Sequence, residues 1–152
     1  MIKADDWMGA MLPLLKEGKS LKIKTEGGSM VPFIVGGRDT VEISAPKPGL
    51  KRGDIVLIRR DSGKYVLHRM YKVKSDGYYI LGDGEDFVEG PFTGDQIIAQ
   101  CRYYYKKGKR KDNEALDMKI KYTIWFWLKP FRLKLIKLNN LKRKLLGKGE
   151  SE

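Results

Sequence analysis

The chain has 152 residues, 41% of them hydrophobic, and a formal charge of +12, enough for one domain with a real core but not for two. Its single cysteine, Cys101, excludes an internal disulfide and a cysteine-rich metal site, and its place in an apolar alternating stretch marks a buried thiol. The charge is unevenly placed: residues 1–105 hold 16 Lys/Arg against 14 Asp/Glu, whereas residues 119–148 hold ten basic residues and no acid. Whatever the charge does, it does towards the C-terminus.

Residues 1–20 carry six charges around a short apolar run at 10–15, which does not read as a secretory signal. No stretch reaches the roughly 18 to 20 apolar residues that a membrane-spanning helix needs. Asp5 or Asp6 is positioned to cap a short helix bearing Trp7, Met11, Leu14 and Leu15, with Pro13 inside it and Gly18 ending it. Alternation then predicts a half-buried strand over 20–25, and the turn Gly27-Gly28-Ser29-Met30-Val31-Pro32 follows directly. In that turn Pro32 is expected to bias Val31 towards an extended conformation.

A strand over 40–45 comes after a second turn at Gly36-Gly37, and a loop fills 46–53. The run 54–60 is apolar enough to predict burial on both faces. Asp61-Ser62-Gly63 and Asp76-Gly77 mark hairpin turns between strands at 54–60, 64–74 and 78–81. Residues 82–94 read as an acidic, glycine-rich loop, and 96–105 as the last strand. Short strands separated by regular turn signals predict a mainly β body, barrel-like and antiparallel. The expected division is an N-terminal helical segment over 1–19, a β domain over 20–105 and a basic, aromatic-rich tail over 106–152.

In the tail, 122–128 is an uncharged run closed by Pro130. Beyond it Phe131, Leu135, Leu138, Leu141 and Leu145 form one helical stripe that Leu133 and Ile136 leave. Two readings are open: a basic helix lying on an anionic membrane surface through 119–148, or one packed on the β body with a solvated basic face. No helix-turn-helix pattern precedes the β body, so a DNA-binding regulator is disfavoured and nucleic acid is not the expected partner.

Ser29 sits where two glycines permit a tight turn, presenting a hydroxyl and neighbouring amides to one reacting carbonyl. Alone, Gly-Gly-Ser is also an ordinary turn. The one histidine, His68, lies in a strand; it is the natural general base near neutrality, and equally a packed residue. A base used in this way wants a carboxylate on its other ring nitrogen, and the loop from Asp83 through Glu85, Asp86 and Glu89 supplies several. The same loop lacks the alternate-residue ligand spacing of a calcium site, and no metal or other cofactor is expected.

Gly28-Ser29-Met30-Val31-Pro32, Arg52-Gly53-Asp54-Ile55-Val56, Leu67-His68-Arg69 and Gly82-Asp83 occur in this order. Together they resemble the type I signal peptidase family and, more distantly, the self-cleaving SOS-response repressors, over about residues 20–105 of this chain. The resemblance is to the histidine type of that family. It implies a serine endopeptidase with a signal-peptidase-like β fold, Ser29 as nucleophile, His68 as base and Asp83 as the first-choice acid. A further acid is expected later in the loop, at Asp86 or, further on, Glu89. Gly28, Met30 and Pro32 are expected to shape the oxyanion and substrate site. The substrate would be a peptide or protein. Without a membrane span, the resemblance implies a cytoplasmic relative or one peripheral on the inner face of the membrane. A catalytically silent peptide-binding module of the same fold is the alternative.

Overall fold

The computed structural model describes residues 8–147. Helix α1 (Met8–Lys16) buries Met8 and Leu15 and carries Pro13 within it; the expected capping residues Asp5 and Asp6, and Trp7, lie outside the described residues. Eight strands follow: β1 (Leu21–Lys24), β2 (Thr40–Ser44), β3 (Ile55–Arg59), β4 (Tyr65–Lys74), β5 (Gly77–Leu81), β6 (Glu89–Phe92), β7 (Ile97–Lys106) and β8 (Lys109–Asp112). They form one sheet in the order β1-β2-β7-β3-β4-β5-β6, with β8 also paired to β7 and every pairing antiparallel. Thus β7 has β2 along one edge and β3 followed by β8 along the other.

The mainly antiparallel β architecture matches the sequence expectation, but the barrel does not form: the sheet is open, ending at β1 and β6. Strand β6 is only four residues long and contains Pro91, which has no N–H to offer a further strand.

Strand β3 is buried from Ile55 to Ile58, as its unbroken apolar run predicts. Its alternate side chains leave by opposite faces. Ile55 and Leu57 join a large core with α1, Val41, Ile43 and Tyr104, while Val56 and Ile58 join a smaller one with Met70, Ile80, Phe92 and Ile97. Helix α2 (Leu116–Trp127) lays Met118, Tyr122 and Phe126 onto the large core. A short 3₁₀ turn at Lys129–Phe131 leads into α3 (Arg132–Gly147).

Three features depart from the sequence reading. Residues 82–94 contain strand β6. The basic run 106–111 belongs largely to a hairpin, turned at Lys107 (φ 51°) and Gly108 (φ 79°), so the sheet continues to Asp112. The aromatic run of the tail is partly core, because Tyr122 and Phe126 face inward.

Candidate active site

The turn carrying Ser29 starts from Gly27, whose φ of 81° is the left-handed region that favours glycine. Beyond Ser29 the chain coils instead of extending through Val31: Phe33 and Ile34 both donate to the carbonyl of Met30, each at 3.0 Å. Met30, Phe33 and Ile34 are buried in the large core and hold this turn from beneath. Ser29 itself remains partly exposed. Among the described residues, the amides of Ser29 and Met30 donate to no other group.

The acidic loop is pressed against this turn backbone to backbone. Gly84 donates its amide to the carbonyl of Ser29 at 2.8 Å. A Cβ on Gly82 would lie 2.6 Å from the Ser29 carbonyl oxygen, and one on Gly84 would lie 2.5 Å from that of Gly28. Only glycines permit so close an approach, and through it Glu85 reaches the site.

His68 and Arg69 are consecutive on β4, so their side chains leave by opposite faces of the strand. Arg69 points into a fully buried network. Its Nε and Nη2 donate to the two carboxylate oxygens of Asp83, each at 2.9 Å, and Nη1 donates to the Gly53 carbonyl at 2.9 Å and to Asn113 Oδ1 at 2.7 Å. The rings of Phe33 and Tyr122 flank the guanidinium at 5.0 and 4.7 Å. A bidentate pair with further hydrogen bonds is the form in which a buried ion pair is tolerated.

On the other face His68 is completely buried, with Glu85 Oε2 3.6 Å from its Nε2 and Glu89 Oε1 3.8 Å from its Nδ1. These are longer than hydrogen bonds, and among the described residues both ring nitrogens are without a hydrogen-bond partner. Glu89 is held by Arg60, whose Nε donates to it at 3.0 Å.

Burial drives the His68 pKa down from 6.5 to about 4; Glu89 opposes this and Arg60 reinforces it. The imidazole is therefore neutral at pH 7, the state in which a ring nitrogen can accept a proton. The Glu85 pKa is raised, first by its own burial and then by the negative charges of Glu89 and Asp86, with Arg60 opposing them. His68, Glu85 and Glu89 each bring one ligand atom within 4.8 Å of the others. The acids face different nitrogens of the ring, however, an arrangement that suits a base held between carboxylates better than a shared ion.

Ser29 and His68 line the same cavity of about 190 Å³, together with Met30, Glu85, Arg60 and Lys64. Of the residues expected from sequence, the structure thus brings Ser29, His68 and Met30 together. It does not bring Asp83 to His68: the Asp83 carboxylate lies with Arg69, on the other side of β4. Asp86 is exposed and makes no hydrogen bond or ion pair among the described residues. Gly28 contributes its carbonyl to the turn, and Pro32 sits one turn on, its carbonyl accepting from Lys106 Nζ at 2.9 Å. Glu89, weighed from sequence, does face the histidine. Glu85, one of the several carboxylates in the acidic loop, also faces the histidine, brought there by the close contact of Gly84 with the Ser29 turn, which residue order does not show.

Comparison with protein-family models and with curated proteins found no match for this chain.

Proposed function

We propose that the chain is a serine endopeptidase of signal-peptidase-like type. The observation that carries this reading is the shared cavity, which a partly exposed Ser29 and a buried, neutral His68 both line, the histidine's nitrogens lying between two carboxylates without a hydrogen-bond partner among the described residues. The Ser29 hydroxyl attacks the carbonyl carbon of a peptide bond while His68 Nε2 takes the hydroxyl proton. The amides of Ser29 and Met30 receive the developing oxyanion. Collapse expels the amine, which leaves with the proton from His68, and water then hydrolyses the acyl-serine by the same route. Glu89, 3.8 Å from Nδ1, stabilises the charged form of the ring by its negative charge; it takes the part expected of Asp83.

The test is mass spectrometry of a diverse peptide mixture treated with wild type or Ser29→Ala. New peptide termini formed only by the wild type support the reading. Cleavage by Ser29→Ala at the wild-type rate refutes it.

One observation favours a second reading, a peptide-binding module without turnover. Among the described residues strand β1 pairs only with β2, and it runs directly into Thr25 and Glu26 on the cavity wall, so an extended peptide can add along its other side by main-chain pairing. Saturable peptide binding by a folded wild type that forms no new termini would select it.

A further inference from the structure

Helix α2 is apolar on two sides. Met118, Tyr122 and Phe126 face the core, while Ile120, Ile124 and Trp127, at spacings of four and three, are more than half exposed, Trp127 to 80%. A surface helix normally turns polar residues outward, and one that is apolar all round is covered all round. Helix α3 is more extreme. Among its residues only Arg132 is buried, and Leu138, Leu141 and Leu145 are exposed by 63%, 54% and 66% at spacings of three and four. An isolated 16-residue helix is marginal in water, so this one needs a surface to lie on.

We propose that the arm formed by α2 and α3 seats on an anionic membrane surface. Its charge selects the occupant: from Leu116 to Gly147 it holds nine Lys/Arg, only Arg132 of them buried, against one acid, Asp117, which attracts anionic headgroups. Its exposed leucines need an apolar medium at the same place, and a lipid interface supplies both. Trp127 is suited to headgroup depth. Nucleic acid would satisfy the cations but leave the leucines in water, and a second copy of the arm would set like charges together. No helix among the described residues is long and apolar enough to cross a membrane, so the arm lies along the surface. The proposal does not depend on the peptidase reading, because binding needs no turnover.

The experiment is flotation of the full chain with vesicles of phosphatidylcholine containing roughly one-third phosphatidylglycerol, against phosphatidylcholine alone. The wild type is expected to bind the anionic vesicles at least about tenfold more strongly. A Leu138→Gln/Leu141→Gln variant keeps every charge and alters only exposed side chains, and is expected to lose at least about tenfold in affinity for them. Circular dichroism checks that its β body is intact. No wild-type binding, equal binding to neutral vesicles, or undiminished binding by the variant would each overturn the proposal. So would tighter binding to duplex DNA at the same salt.

Discussion

Trp125 donates its indole N–H to the main-chain carbonyl of Asp83 at 2.6 Å. The next turn adds Arg132, which donates to the carbonyls of Gly82 at 3.2 Å and Glu85 at 3.0 Å and to that of Trp125 itself at 3.0 Å. The junction of the two C-terminal helices therefore holds the acidic loop by its backbone. Trp125→Phe keeps most of the ring and removes the N–H, leaving the Asp83 carbonyl without this donor. Faster hydrogen–deuterium exchange in the peptide spanning 82–89 is expected, by about threefold or more if the bond contributes ~1 kcal/mol. Unchanged exchange would show that the loop does not rely on this contact.

Removing Arg69 strands a buried carboxylate. Arg69→Met is expected to cost about 3–5 kcal/mol, read from the urea midpoint, because Asp83 is left uncompensated. Arg69→Met/Asp83→Leu should cost clearly less than the two single changes added together, since neither charge then remains alone.

On the proposed peptidase reading, the two faces of β4 give the acids different roles. Glu89→Gln is expected to lower kcat by about tenfold or more with little change in KM, because the charge that stabilises protonated His68 is lost. Asp86→Asn should leave both parameters near wild type. Asp83→Asn should act mainly on stability, since its partner is Arg69. Peptide-cleavage kinetics and urea melts on the three variants separate these outcomes.

The low His68 pKa fixes the direction of two pH effects. The acid limb of kcat/KM should fall near pH 4 instead of near 6.5, because the base is inactive only once protonated. Folding depresses this pKa, so between 6.5 and 4 the unfolded chain binds the proton more readily than the folded one. The stability contribution is complete above pH 6.5 and disappears as pH falls to 4, on the order of 3 kcal/mol. His68→Gln should show a shallower loss across that window. Glu85 acts in the opposite sense: its raised pKa contributes stability at low pH that is lost as pH rises through its folded value. Glu85→Gln is therefore expected to raise the urea midpoint at pH 7.

Gly84→Ala should disable the site sterically. The new Cβ would sit 2.5 Å from the Gly28 carbonyl oxygen, forcing the acidic loop off the Ser29 turn. Gly94→Ala, where nothing lies within 4 Å, is the matched control. Cleavage lost in the first and retained in the second is the expected pattern; equal activity would show that the loop contact is dispensable.

The strands were legible where one face is apolar and the other wet, as with Ile23 in β1 and Val41 and Ile43 in β2. Strand β6 was hidden by Gly90-Pro91, a pair that reads as a turn but is accommodated on the last strand of the sheet. Strand β8 was hidden because Lys109, Arg110 and Lys111 alternate nothing; their place comes from pairing with Tyr103–Lys106. Closure was not legible either, since alternation reports which side is buried and not whether the first and last strands meet. Ser29 and His68 could be named from residue type and order. Which acids lie near His68 could not be read, because Asp83 and Glu89 differ in which side of β4 they approach, and only the fold decides that.

Strand β7 is the shared neighbour of β2, β3 and β8, and its own residues run from Ile97 to Lys106. On the ribosome, β2 and β3 are made long before the strand that lies between them. The hairpins β3–β4 and β4–β5 can form as they emerge, but the interior of the sheet stays unfilled until β7 leaves the exit tunnel. A nascent chain halted before Ile97 therefore presents two open edges with their apolar faces uncovered, and should be a preferred client for holding chaperones.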